Sequence, residues 1–215
     1  MKRYLAEAIA TFFLIFCGTG AMTINAETHG VISHFGVATS WGLIVMIMIF
    51  AYRRVSGAHM NPAVTLTLVL LKLHPKKEIL PYFGAQFVGA IVASLTLKIL
   101  FPDSELLGAS LPQGDVWQSF VLEIILTFML MLVILQTSQG RKIEQYFAPI
   151  AIGTTVGLEA LFAGPISNAS MNPVRSIAPA VVSGHTEHLW VYLTATTVGA
   201  LLAGFTWFYM RNSES

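Results

Sequence analysis

Charge is what this sequence lacks most. Only 11% of its 215 residues are charged, against roughly 25% in soluble globular domains. That excludes a chain facing water on all sides. The formal net charge of +1 provides no basic field, so no nucleic-acid partner is expected. A single cysteine, Cys17, excludes an internal disulfide and lies in an apolar run as a small packing residue. No Ser/His/Asp triad or metal-ligand spacing is present, which argues against an intramembrane enzyme and calls for no metal or cofactor. His59 has no second ligand nearby in sequence.

What the chain has instead is long apolar runs. A helix needs roughly 20 mainly apolar residues to cross a hydrocarbon core of about 30 Å. Six stretches qualify, at about 5–25, 34–52, 81–101, 118–137, 147–164 and 188–210. Two shorter ones, 62–73 and 173–183, are half a bilayer long and should not span alone. The first run has a basic start, as a signal peptide does, but it carries Glu7 and five spans follow, so a retained helix is expected. With the N-terminus placed inside, Lys2, Arg3, Arg53, Arg54, Lys72, Lys76, Lys77, Arg141, Lys142 and Arg211 all fall on the cytoplasmic side. The opposite side holds Asp103, Glu105, Asp115 and Glu187, leaving Lys98 and Arg175 as the outlying cations. This bias predicts that both termini are cytoplasmic, and the short termini and loops suggest a cell (plasma or inner) membrane.

The chain also repeats itself. "SGAHMNPAVT" at 56–65 returns as "SNASMNPVRS" at 167–176. "AEAIATFFLIF" at 6–16 is echoed by "LEIILTFMLML" at 122–132, with Glu7 and Glu123 in corresponding places. "FVGAIVASL" (87–95) is matched by "TVGALLAGF" (197–205) around Gly89 and Gly199. Each half, about 1–105 and 115–215, therefore holds three spans and one half-length helix. An odd number of spans per half makes the second half enter the membrane from the opposite face. Inverted repeats with interrupted helices are how many transport proteins build a midplane site. The predicted fold is an all-α membrane protein, a single channel domain over 1–215 with six transmembrane helices and two re-entrant half-helices.

Irregular backbone at membrane depth is tolerated only where it is buried or lines a wet cavity. Pro62 and Pro173 sit at the first helical position, where a missing N–H costs nothing. Asn61 and Asn172 then take the N-cap. Each half-helix brings about +0.5 charge to the membrane middle, a barrier to protons and metal cations that leaves neutral hydrogen-bonding solutes free to pass.

Twin Asn-Pro boxes in inverted three-helix halves resemble the major intrinsic protein family of aquaporins and glycerol facilitators, over essentially the whole chain. The resemblance implies one pore per subunit, usually in a homotetramer set in membrane lipid. It also implies an outer selectivity filter at four positions, here Trp41, Ala160, Ala169 and Arg175. The second box departs from the family's Asn-Pro-Ala: Val174 stands for Ala, and its bulk is expected to alter pore width. Strict water channels of the family have His where Ala160 stands and Phe where Trp41 stands, so this filter should be wider. Ser176 after the arginine, short loops and "GPIS" at 164–167 resemble the nodulin-type intrinsic proteins, whose members pass glycerol, water, urea and uncharged metalloid acids such as boric or arsenous acid. Backbone carbonyls of Gly57, Ala58, His59, Asn168, Ala169 and Ser170 would form an acceptor ladder for the solute. Glu7 and Glu123 would accept hydrogen bonds from the re-entrant loops. Glu159 is open between bonding loop N–H groups and shaping the pore mouth. Two alternatives stand beside the solute channel: a water-selective pore, and a proton-coupled transporter using Glu7, Glu123 or Glu159.

Overall fold

The computed structural model describes residues 1–212. Eight α-helices follow in order: α1 Lys2–Glu27, α2 Ser33–Ser56, α3 Pro62–Leu70, α4 Ile79–Leu100, α5 Val116–Ser138, α6 Lys142–Ser167, α7 Pro173–Ser183 and α8 Leu189–Asn212, with one 3₁₀ turn at Lys76–Glu78 before α4. Six of them are long and apolar enough to cross a membrane. They run a few residues past several of the predicted apolar runs. A helix rising 1.5 Å per residue needs apolar side chains only within the hydrocarbon. The two others, α3 with 9 residues and α7 with 11, reach about halfway across a bilayer. The all-α fold, with six spans and two half-helices in a repeated arrangement, is as expected.

The halves pack alike. α1 pairs with α4 as α5 pairs with α8, and α1 lies along α2 as α5 lies along α6. The repeated glycines explain the tightness. A Cβ on Gly89 would come within 2.2 Å of the Ala8 carbonyl oxygen, and one on Gly199 within 2.3 Å of the Ile124 carbonyl oxygen. α2 and α6 cross on Gly42 and Gly153, where a Cβ on either would meet the other's carbonyl oxygen at 2.8 or 2.7 Å. Fully buried Ala10, Ala90, Ala93, Ala163, Ala200 and Ala203 fill the interior, while Leu80, Ile99 and Phe205 stand exposed on the outer faces. Small residues inside and large apolar ones outside is the packing a lipid solvent selects. Gly84, on α4 with Gly89, has open space around it instead.

Gly89→Ala should therefore destabilise the protein. Its methyl would collide with backbone, which cannot swing aside, and an overpacked interior costs about 1–3 kcal/mol. Thermal unfolding in detergent is expected to shift down for Gly89→Ala and to stay in place for Gly84→Ala.

Candidate functional site

The site is built where α3 and α7 meet. Asn61 caps α3 in extended backbone (φ −154°, ψ 118°) and accepts from the Ala63 N–H at 2.9 Å. Asn172 caps α7 at φ −154°, ψ 116° and accepts from Val174 N–H at 3.1 Å. Each carboxamide also reaches across to the other half. Asn61 Nδ2 donates to the Met171 carbonyl at 2.7 Å, and Asn172 Nδ2 to the Met60 carbonyl at 2.8 Å. The two interrupted helices are thus locked end to end by a reciprocal pair of bonds. An amide nitrogen carries two N–H groups, so each asparagine keeps one.

The loops leading into the caps share an unusual backbone. Gly57, Ala58 and Met60 have φ of 92°, 51° and 51°; Asn168, Ala169 and Met171 have 62°, 42° and 54°. Left-handed residues other than glycine are sparse and cost about 1–3 kcal/mol where held under strain, so something must fix them. Two carboxylates do. Glu7 accepts from Ser56 Oγ (2.7 Å), His59 N (2.8 Å), Met60 N (2.8 Å) and Gln86 Nε2 (2.9 Å). Glu123 accepts from Ser167 Oγ (2.8 Å), Ser170 N (2.7 Å) and Met171 N (2.9 Å). Both acids are fully buried. In a trans peptide the N–H of one residue and the C=O of the residue before it point opposite ways. Turning N–H groups 59, 60, 170 and 171 onto the acids therefore turns carbonyls 58, 59, 169 and 170 away from them.

Those residues border a cavity of about 610 Å³ that runs from Arg53, Lys142 and Gln145 at one end, past Asn61 and Asn172, to Trp41, Ala160, Ala169 and Arg175 at the other. The four candidate filter residues are thus brought together. Gly57, Ala58, His59 and Ser170 line the same cavity. Pro62, Pro173 and Asn168 do not stand on its wall. Asn168 ends α6 in left-handed backbone, and its side chain anchors the Leu111 N–H at 2.9 Å. Val174 is 2% exposed and packs into the apolar core. The expected change of pore width at Val174 is thereby corrected: its bulk goes to the core.

Arg175 is 2% exposed, and its charge is well supplied with partners. Nη1 donates to the Gly108 carbonyl at 2.9 Å and to Ser110 Oγ at 2.6 Å, and Nη2 lies 3.0 Å from Met22 Sδ. The guanidinium carbon stands 4.9 Å from the Trp41 ring centroid, within cation–π range. Ser176 extends the network to Ser110 (2.7 Å) and Ser170 (2.6 Å). Gly108, Ser110 and Met22 escaped the sequence reading. The connection between α4 and α5 folds inward, burying Leu107, Ala109 and Ser110. Its apolar stretch LLGASL at 106–111 is far too short to read as a span, and composition does not say what it packs against.

At the other end, the rings of His59, His74 and Tyr82 cluster with centroids 4.5 to 5.1 Å apart. Burial holds the His74 imidazole below its ordinary range, so that ring is neutral at pH 7. His59 Nδ1 pairs with Thr65 Oγ1 at 3.1 Å. Among the described residues no three His, Cys, Asp or Glu side chains group as metal ligands. Glu159 fits neither of its two expected roles. It is fully buried beside Ala160, is absent from the cavity wall, and neither carboxyl oxygen has a hydrogen-bond partner among the described residues.

Six membrane-crossing helices around a long cavity, interrupted at mid-depth by two capped half-helices, define a multi-pass membrane channel. The family model for major intrinsic proteins matches residues 1–207, and the chain belongs to that family of passive channels. It is 43% identical to aquaporin NIP1-1 of Zea mays over 98% of this chain and 75% of that protein. It is 37% identical to nodulin-26 of Glycine max over 100% of this chain and 79% of that one. The solved aquaglyceroporin of Plasmodium falciparum superposes with a TM-score of 0.85 at 26% identity, covering 96% of this chain and 94% of that one.

Proposed function

We propose that this channel passes small uncharged solutes, namely glycerol-like polyols and water, with urea and metalloid acids such as boric or arsenous acid, and refuses protons and ions. The observation that carries the reading is the composition of the outer end of the cavity. Ala160 and Ala169 leave room there, Trp41 supplies a flat apolar wall for the carbon side of a polyol, and Arg175 supplies donors for hydroxyl oxygens while repelling cations. Carbonyls of Gly57, Ala58, His59, Ala169 and Ser170 continue as acceptors toward Asn61 and Asn172, whose remaining N–H groups donate at the centre. Pro62 and Pro173 shape that constriction from behind, each opening the half-helix that its asparagine caps. Glu7 and Glu123 act as loop supports, because their oxygens are already committed to loop donors. The whole chain works as one channel domain, in a homotetramer in the cell membrane with both termini cytoplasmic. The relation to aquaporin NIP1-1 and to an aquaglyceroporin supports the solute class.

Osmotic swelling of proteoliposomes, with water, glycerol, urea, boric acid and arsenous acid as the panel, tests it. Glycerol uptake above that of empty vesicles is the expected result. Water flux without glycerol uptake would establish a water-selective pore instead, and accumulation abolished by an uncoupler would establish a proton-coupled transporter. Ala160→His should shift the balance toward water. The imidazole adds a donor and fills the space beside Arg175, and glycerol permeability is expected to fall about tenfold, the effect of roughly 1.4 kcal/mol on a barrier, with water flux reduced less.

A further inference from the structure

We propose that Gly18 is a specificity-determining residue of this channel: its bare Cα supports the face of the Trp41 indole and so sets how far that ring stands into the outer constriction. The proposal rests on the reading of Trp41 and Arg175 as filter residues and extends it to a residue that does not itself line the cavity.

Gly18 lies buried on α1. A Cβ there would meet three consecutive indole atoms, Cε3, Cζ3 and Cη2, at 2.4, 2.4 and 2.5 Å. A methyl approaching the ring edge would be close to one atom and farther from its neighbours. Near-equal distances place it over the ring face, so the indole lies flat on the α1 backbone. Ordinary contact begins at 3.4 Å, and any side chain at position 18 would have to push the ring off the helix by about 1 Å, since atoms in a packed interior do not overlap.

The ring has one direction in which to go. Helix α1 occupies one face, so the Arg175 guanidinium, 4.9 Å from the ring centroid, lies over the other, where the cavity also lies. Trp41 is only 7% exposed, held at its rim by neighbours, and displacement moves it toward Arg175 and narrows the passage between wall and cation. Gly20, two residues along the same helix, provides the contrast. Its nearest contact would be a Leu97 methyl at 3.3 Å, the end of a side chain that can turn aside.

The test compares wild type, Gly18→Ala, Gly20→Ala, Trp41→Ala and the Gly18→Ala/Trp41→Ala pair, each as the full chain in proteoliposomes, with water and glycerol permeabilities measured on the same vesicles. Gly18→Ala is expected to lower glycerol permeability about tenfold, as overpacking strain felt in the barrier, and water permeability less. Gly20→Ala should match wild type. In the Trp41→Ala background the alanine at 18 should change nothing, because the coupling of contacting residues vanishes when one partner is removed. An unchanged glycerol-to-water ratio in Gly18→Ala, or an equal loss in the Trp41→Ala background, overturns the proposal. Should wild type pass water but no glycerol, the solute reading fails. Gly18 is then judged on water alone, by the same loss and the same cancellation. Should Gly18→Ala fail to accumulate as folded protein, its recovery in the Trp41→Ala background supports the contact, and failure in both overturns it.

Discussion

Arg175→Ala is expected to raise the leak of cations through this channel. The guanidinium is the one cation among the residues at the Trp41 end of the cavity, 2% exposed and fixed by Gly108, Ser110 and the Trp41 ring. A unit charge about 4 Å from a passing cation repels it by about 4 kcal/mol at an effective dielectric constant near 20. Removing it should raise cation conductance by two to three orders of magnitude, on the order of that energy. The rise is bounded because the N-terminal ends of α3 and α7 still present about half a charge each at the midplane. Side-chain loss also widens the passage, so uncharged solutes should enter faster rather than slower. Dye-reported proton and potassium flux in proteoliposomes is the measurement. Selectivity equal to wild type would remove Arg175 from the filter.

The bilayer made most of the fold legible. A hydrocarbon slab fixes span length, so six runs of apolar residues announced α1, α2, α4, α5, α6 and α8, and two half-length runs announced α3 and α7. Asn-Pro pairs announced their own caps, because proline lacks the N–H that the first turn would waste. Glu7 and Glu123 announced partners because an intramembrane acid without them is expensive. The candidate filter was reached by spacing within a known family rather than by chemistry alone. Elsewhere the signal was absent. The bonds from Asn61 to Met171 and from Asn172 to Met60 join residues 110 and 112 positions apart through backbone carbonyls, which every residue possesses. Gly108 and Ser110 reach Arg175 from a connection whose inward fold depends on left-handed backbone at Leu107 and Gly108. Val174 shows a third limit. Its place after Asn-Pro gave its position in the first turn, but successive residues turn by about 100°. Only the packing of α7 shows that Arg175 faces the cavity while Val174 faces the core.

Glu123→Ala should disrupt the second re-entrant loop more completely than any other single change to it. Three buried donors, Ser170 N, Met171 N and Ser167 Oγ, would lose their acceptor. Each orphaned group costs about 1–3 kcal/mol, a total of several kcal/mol against the 5–15 that holds a typical domain. The left-handed residues Ala169 and Met171 would lose what fixes them, and with them the seat of Asn172. Both water permeability and thermal stability in detergent are therefore expected to collapse. The glutamine variants should separate the two halves. Glu7→Gln sets a carboxamide against Gln86, whose Oε1 has no partner. Rotation of the Gln86 amide lets it accept from the new Nε2. The Thr65 hydroxyl, which accepts from Gln86 at 3.0 Å, turns to donate to it instead, its former acceptor Asn61 O keeping the Thr65 N–H. The Gln86 Nε2 takes the unpartnered place of its Oε1, so the Met60 N–H is the one group newly left short. The corresponding place in the second half is held by Thr196, whose hydroxyl is already bonded to the Tyr192 carbonyl. Glu123→Gln thus strands its new N–H together with Met171 N. Its unfolding temperature should fall further below wild type than that of Glu7→Gln. Equal losses would mean that Gln86 does not distinguish the two supports.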